Sequence, residues 1–469
     1  MRVLISLILS ASLFAAEPKL TPEMQTVVDH ISAESLRGNL SYIASDLLQG
    51  RGTPSPGLDL AAEYIAAQFR RFGLEPAGDD GYFQTATLRV REPNWQGFRM
   101  TLTTGNRTIE LTRDDLFVST PSALDFDDAR IDVTDTPESA KGKVVFAANP
   151  RAAARLRGSE AALILLPADD RSRDLPPGPQ VSDPETPRRA VPRATIARAD
   201  ALELLAHAKD ARITLHMEAP FDRPAKTRNV VGVLRGSDPI LRDTYVMLTA
   251  HYDHLGTRSS GEDRIYNGAN DDGSGTVSVI EIAGALAALN PRPKRSVLFV
   301  AFFGEERGLV GSRYYGRHPV VPLDKTIADI NLEQVGRTDS TNGPQVRTAS
   351  LTGYDFSEVP RIVAQAGRLV GVKVYKDDQA SVAFFSRSDN QALADLGVPA
   401  HTLCVAFDYP DYHQVGDEWQ KIDYANMAKI DDAVGLAVLH LASNAPPPRW
   451  NESAPAAKRY VEAAKKLAH

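Results

Sequence analysis

An apolar run from Val297 to Phe303 ends on Gly304-Glu305-Glu306. Two carboxylates closing a buried strand are costly unless a metal ion or a proton compensates them. Such a pair can divide its labour, one group binding metal and the other moving protons. Four more groups repeat the theme. Ala250-His251-Tyr252-Asp253-His254 follows a strand-like run, and Asp253 is placed to accept the second ring N–H of His251. Asn267 to Gly275 is a glycine-rich turn in which one carboxylate could bridge two ions. Asp329 to Gly336 again runs from apolar strand into acid, at Glu333, and Asp408 to His413 is a polar aromatic loop ending in histidine. Each is open to a plainer reading: surface histidines, an aspartate helix cap, an acidic loop. Together, one Asp, two Glu and two His give nitrogen and oxygen donors for two divalent ions, with no thiolate.

The elements that carry these groups alternate. Val230–Leu234, Tyr245–Ala250, Ser296–Phe303, Ile327–Leu332 and Ala400–Val405 read as buried strands. Ser274–Leu289, Gly308–Tyr315, Phe356–Leu369 and Ile422–Leu441 read as helices between and after them. This predicts an α/β fold, a mostly parallel mixed sheet flanked by helices, with its chemistry at the carboxyl ends of the strands. Upstream, Ser32–Leu48 and Leu58–Phe72 have helical spacing, the second through Leu60, Ala61, Tyr64, Ile65 and Phe69. Between about Thr101 and Leu215 the pattern changes to short alternating strands, among them Met100–Thr103, Lys143–Phe146 and Ala161–Leu166. Arg171–Pro192, with six prolines, reads as a loop. The expected organisation is a catalytic domain of residues 17–100 and 221–445, a β-rich domain of residues 101–220 inserted into it, and a tail of residues 446–469.

At 469 residues two domains are expected, and a net charge of −7 argues against a nucleic-acid partner. Arg2 followed by the apolar run Val3–Phe14 and Ala15-Ala16 has the layout of a signal peptide of residues 1–16, implying a secreted or periplasmic protein. No later run is long enough for a stable membrane span. Cys404 is the sole cysteine, so no intramolecular disulfide can form. No Gly-x-Ser-x-Gly elbow surrounds Ser274, which counts against a serine hydrolase.

His251-x-Asp253, Asp271-Asp272-Gly273-Ser274-Gly275, Glu305-Glu306 and Tyr412-His413 resemble, in order and spacing, the motif set of the co-catalytic zinc exopeptidases. That family includes secreted bacterial aminopeptidases, glutamate carboxypeptidases and glutaminyl cyclases. The likeness runs through Asn229–Leu441 and reaches back to Ser45–Gly52. The inserted region resembles a protease-associated domain. The resemblance implies two zinc ions: His251 binding one and oriented by Asp253, Asp271 bridging both across a cis peptide to Asp272, and Glu306 and His413 completing the second. It makes Glu305 the general base. Glu333 stands where the family usually has Asp, sharing an ion with His251 and Asp271, and Asn390 stands where relatives often carry His. The implied activity is hydrolysis of a peptide or protein substrate from its amino end. Alternatives on the same fold are a glutaminyl cyclase, a dipeptidase, a carboxypeptidase, or a receptor-like binding protein without metal. Phe384, Phe385, Tyr409 and Tyr412 are candidates for a side-chain pocket, with core packing as their other reading.

Overall fold

The computed structural model describes residues 19–105, 107–168, 179–186, 190–207, 210–258, 261–443 and 446–468. The leader-like segment, and half of the proline-rich stretch, lie outside them.

Strands Tyr245–His251, Ser296–Phe302, Thr326–Glu333 and Ala400–Cys404 each carry an unbroken row of buried residues. Such rows suit a sheet covered on both faces. Tyr245–His251 lies parallel to Ser296–Phe302 on one side and to Thr326–Glu333 on the other, and Thr326–Glu333 is parallel to Ala400–Cys404. Antiparallel partners flank this core: Arg212–Leu234 beside Ser296–Phe302, and Thr348–Leu351 beside Ala400–Cys404. The period of two then sorts side chains to opposite faces. Val246, Leu248, Val297 and Phe299 join one hydrophobic cluster, and Met247, Leu298, Val300 and Phe302 join another.

The first face is covered by helices Ala33–Ile43, Pro56–Arg71, Gly275–Ala287 and Tyr424–Ser443. Ser32 and Ser55 cap the first two, each side chain accepting a backbone N–H three residues on. The buried stripe of Pro56–Arg71 is Leu58, Ala61, Ala62, Ile65, Ala66 and Phe69. Leu60, read from sequence as part of that stripe, is 49% exposed. The helix is rotated toward its small residues, because alanines let it approach the sheet more closely than leucine would.

Two long strands, Phe83–Thr104 and Arg212–Leu234, pair antiparallel and run from this sheet into a second region. There Leu124–Val133, Val144–Phe146, Leu163–Pro167 and Arg193–Ile196 are parallel neighbours, with helices Pro150–Leu156 and Ala199–His207 beside them. Met100, Leu102, Val144, Leu163, Ile213 and Leu215 gather a separate core. The segment read as a tail packs as well: helix Lys458–Leu467 buries Tyr460, which stacks on Trp450. Among the described residues no helix is long and apolar enough to cross a membrane.

Candidate metal centre

The carboxyl ends of the parallel strands converge on one cleft. His251 and Glu333 are the last residues of their strands, and Glu305 and Glu306 sit in the turn just beyond Phe302. That turn is tight: the amides of Gly308 and Leu309 both donate to the Glu305 carbonyl. Asp271 enters from the glycine-rich segment ahead of helix Gly275–Ala287, and its peptide bond to Asp272 is cis. His413 arrives from a loop, with φ of 57°, and stacks on Tyr412. Gln334 and Arg51, both beside the cleft, also have positive φ. Left-handed non-glycine residues cost of order 1–3 kcal/mol and persist where the surroundings hold them.

The donor atoms of His251, Asp271 and Glu333 lie within 4.8 Å of one another, and so do those of His254, Asp271 and Glu306. His251 Nε2 is 3.4 Å from Asp271 Oδ1 and 3.3 Å from Glu333 Oε1. His413 Nε2 is 3.1 Å from Asp271 Oδ2 and 3.4 Å from Glu306 Oε1. Asp271 thus faces both groups, one oxygen to each. Asp253 meets the other ring nitrogen of His251 chiefly through its backbone carbonyl, at 3.1 Å, with its carboxylate at 3.5 Å. That carboxylate accepts the Glu305 amide at 3.0 Å and the Thr53 hydroxyl at 2.9 Å. Glu333 turns its second oxygen to the Ser388 hydroxyl, and Asn331 donates to the same hydroxyl at 2.9 Å.

Electrostatics mark the cleft as a cation site. Burial opposes a charge on His251, yet Glu333, Asp253 and Asp271 raise its pKa well above the ordinary value. His413, against the same penalty, is raised to about 11 by Glu306 and Asp271. Burial, with Glu333, Glu306 and Asp389 adding to it, pushes Glu305 well up. The carboxylates thus favour a positive charge on both rings, and a divalent ion would supply that charge in their place. Glu306 Oε1 and both ring nitrogens of His254 are buried without a hydrogen-bond partner. Donors of this kind, nitrogen and oxygen without sulfur, fit zinc.

Two residues outside the predicted set support the cleft. Arg51 is wholly buried and donates to four backbone carbonyls: Ile43, Tyr252, Asn267 and Gly268. It ties the turn after His251 to the turn before Asp271, and burial lowers its pKa to about 10. Asp417 accepts the amides of Asn270 and Asp271, and Tyr409 donates to it. Of the four pocket candidates, Phe384 and Tyr412 line the cleft, with Phe407 beside Phe384 at 4.9 Å. Tyr409 and Phe385 are buried; Phe385 packs against Phe356 and Tyr460. Asn390 is buried off the cleft, its amide bonded to the Phe385 carbonyl and the Thr402 hydroxyl. His254, passed over in the sequence, is buried at the cleft.

Comparison with known proteins agrees with this geometry. Residues 229–438 match the family model described as Peptidase family M28. A probable zinc metalloprotease of Pyricularia oryzae is 38% identical over 273 residues, 48% of this chain and 51% of its own. Aminopeptidase YwaD of Bacillus subtilis is 27% identical over 242 residues, 50% of this chain and 48% of its own. The chain spans about half the length of these two relatives, and less of several others. Among solved structures, an aminopeptidase from Aneurinibacillus sp. strain AM-1 shares the fold at a TM-score of 0.64 and 20% identity, over 91% of this chain and 97% of its own.

Proposed function

Because the chain belongs to Peptidase family M28 through residues 229–438, we propose that it is an exported zinc exopeptidase removing residues from the amino end of peptides. The observation that carries this reading is the pair of donor groups that share Asp271 in an open cleft. His251, Asp271 and Glu333 would hold one ion, and Asp271, Glu306 and His413 the other. Zinc bound there supplies Lewis-acid polarisation of a carbonyl and a water of lowered pKa.

The chain's own groups do the rest. Asp253 orients His251 chiefly through its backbone carbonyl and holds the Glu305 amide through its carboxylate, so the ligand and the base are set by one residue. The Glu305 carboxylate takes the proton of the attacking water and returns it to the leaving amine. Burial, with its carboxylate neighbours adding to it, keeps its proton affinity high. Phe384, Phe407 and Tyr412 offer an apolar wall to a substrate side chain. Residues 101–220 act as an inserted domain that limits which chains reach the cleft, and residues 1–16 as the export signal.

The test is a panel of aminoacyl and carboxy-terminal reporter peptides, with zinc content measured alongside. Cleavage of free-amine aminoacyl reporters, lost on amino-terminal blocking, is the expected result. Cleavage confined to carboxy-terminal reporters would overturn the aminopeptidase assignment and favour the carboxypeptidase alternative.

A further inference from the structure

His254 is the one donor of the cleft groups that the mechanism above leaves unused. Its ring is wholly buried, and neither nitrogen makes a hydrogen bond. Nδ1 nevertheless comes within 2.9 Å of Glu306 Oε1, an oxygen equally without a hydrogen-bond partner. The approach is close, but it lacks hydrogen-bond geometry. A buried imidazole and carboxylate that meet without a well-formed hydrogen bond are costly, so the arrangement suits a third body bound by both atoms.

Distances between donors support a metal as that body. Nitrogen and oxygen atoms bound tetrahedrally to zinc at about 2.0–2.1 Å stand roughly 3.3 Å apart. Glu306 Oε1 is 2.9 Å from His254 Nδ1 and 3.4 Å from His413 Nε2, which is 3.1 Å from Asp271 Oδ2; His251 Nε2 is 3.3 Å from Glu333 Oε1 and 3.4 Å from Asp271 Oδ1. The backbone also makes room for the ring. At Gly268, φ is +56° and a Cβ would fall 2.4 Å from His254 Cγ. The His254 amide is held at 3.2 Å by the Arg51 carbonyl.

We propose that His254 is a third imidazole ligand, so that one metal position has four protein donors, His254, His413, Asp271 and Glu306, and the other has three, His251, Asp271 and Glu333. The proposal rests on the exopeptidase reading only in taking the cleft to bind zinc. A four-donor set closes a tetrahedral shell and retains its ion, whereas a three-donor set leaves a position for exchange. The two ions are therefore unequal.

X-ray absorption on the zinc-loaded native protein tests this without any substitution: three imidazoles shared by two ions are expected, and two would overturn it. Zinc release to a competing chelator gives a second readout. The native protein should release one ion readily and one slowly. His254→Ala should speed the slow release at least about tenfold, the least that losing even a group supporting a ligand costs in metal affinity, while His251→Ala should empty the fast position. Unchanged release in a folded His254→Ala protein, by circular dichroism, would contradict the assignment and leave the exopeptidase reading intact. Three bound imidazoles in a protein that cleaves no reporter would do the reverse.

Discussion

His251 and His401 are both wholly buried, on strands separated in the sheet only by Thr326–Glu333, yet their rings are driven in opposite directions. Burial pushes both down. At His401 the ring meets the Thr352 carbonyl at 2.8 Å and the Ser357 oxygen at 2.6 Å, and its pKa falls to about 4. At His251 three carboxylates override burial and raise the ring well above the ordinary range. The fold tolerates a buried neutral histidine where it packs. It charges one only where it has gathered acid. The cleft is distinguished from the core by its carboxylates, and the substitutions below act on that distinction in order of expected effect.

Asp271→Ala removes the one group both ligand sets share, so the cleft should lose its hold on both ions. Hydrolysis of aminoacyl reporters should fall at least about 1,000-fold, the several kcal/mol that metal assistance supplies. Two tightly held zinc ions in this variant would remove Asp271 from the centre of the account. Arg51→Met leaves four buried carbonyls without their donor and should cost about 3–5 kcal/mol in urea unfolding, the range for breaking a buried charged network. A loss below about 1 kcal/mol, an ordinary neutral hydrogen bond's worth, would mean that other groups hold the two turns together. Glu305→Gln keeps every proposed ligand and should lower turnover at least about 100-fold with metal content unchanged. Near-native turnover of the metal-loaded variant would take Glu305 out of the chemistry.

The fourth substitution acts on the other histidine. His401 is held below its unfolded value of about 6.5, so its contribution to stability is complete above that pH and is lost as pH falls toward about 4. By pH 5 the loss should be about 2 kcal/mol. His401→Gln should flatten the stability profile between pH 6.5 and 4. An unaltered acid limb would show that other groups set it.

The strand-end acids and His251 were legible because an apolar run that stops on a carboxylate needs a reason, and the sequence shows both the run and its end. The alternation of strand and helix likewise showed which ends would meet. Three features were not legible. Helix phase is a relative signal, and Leu60 was assigned to the buried stripe because leucine weighs more than alanine, whereas the sheet takes Ala62 and Ala66. His254 lies three residues past His251, where a loop offers no period to say which way a ring points; Gly268, distant in sequence, makes its seat. Arg51 reads as a surface residue by type, and only its four carbonyl partners, spread from Ile43 to Gly268, explain its burial.

The central claim is that this cleft is a zinc centre that cuts peptides, with its two ions held unequally. It is tested most directly by stripping the protein with a chelator and titrating zinc back while following hydrolysis of an aminoacyl reporter. The account predicts no activity in the stripped protein, uptake of two equivalents in two steps, and full activity only when the weaker position, His251–Asp271–Glu333, fills. Full activity in the metal-free protein would contradict it.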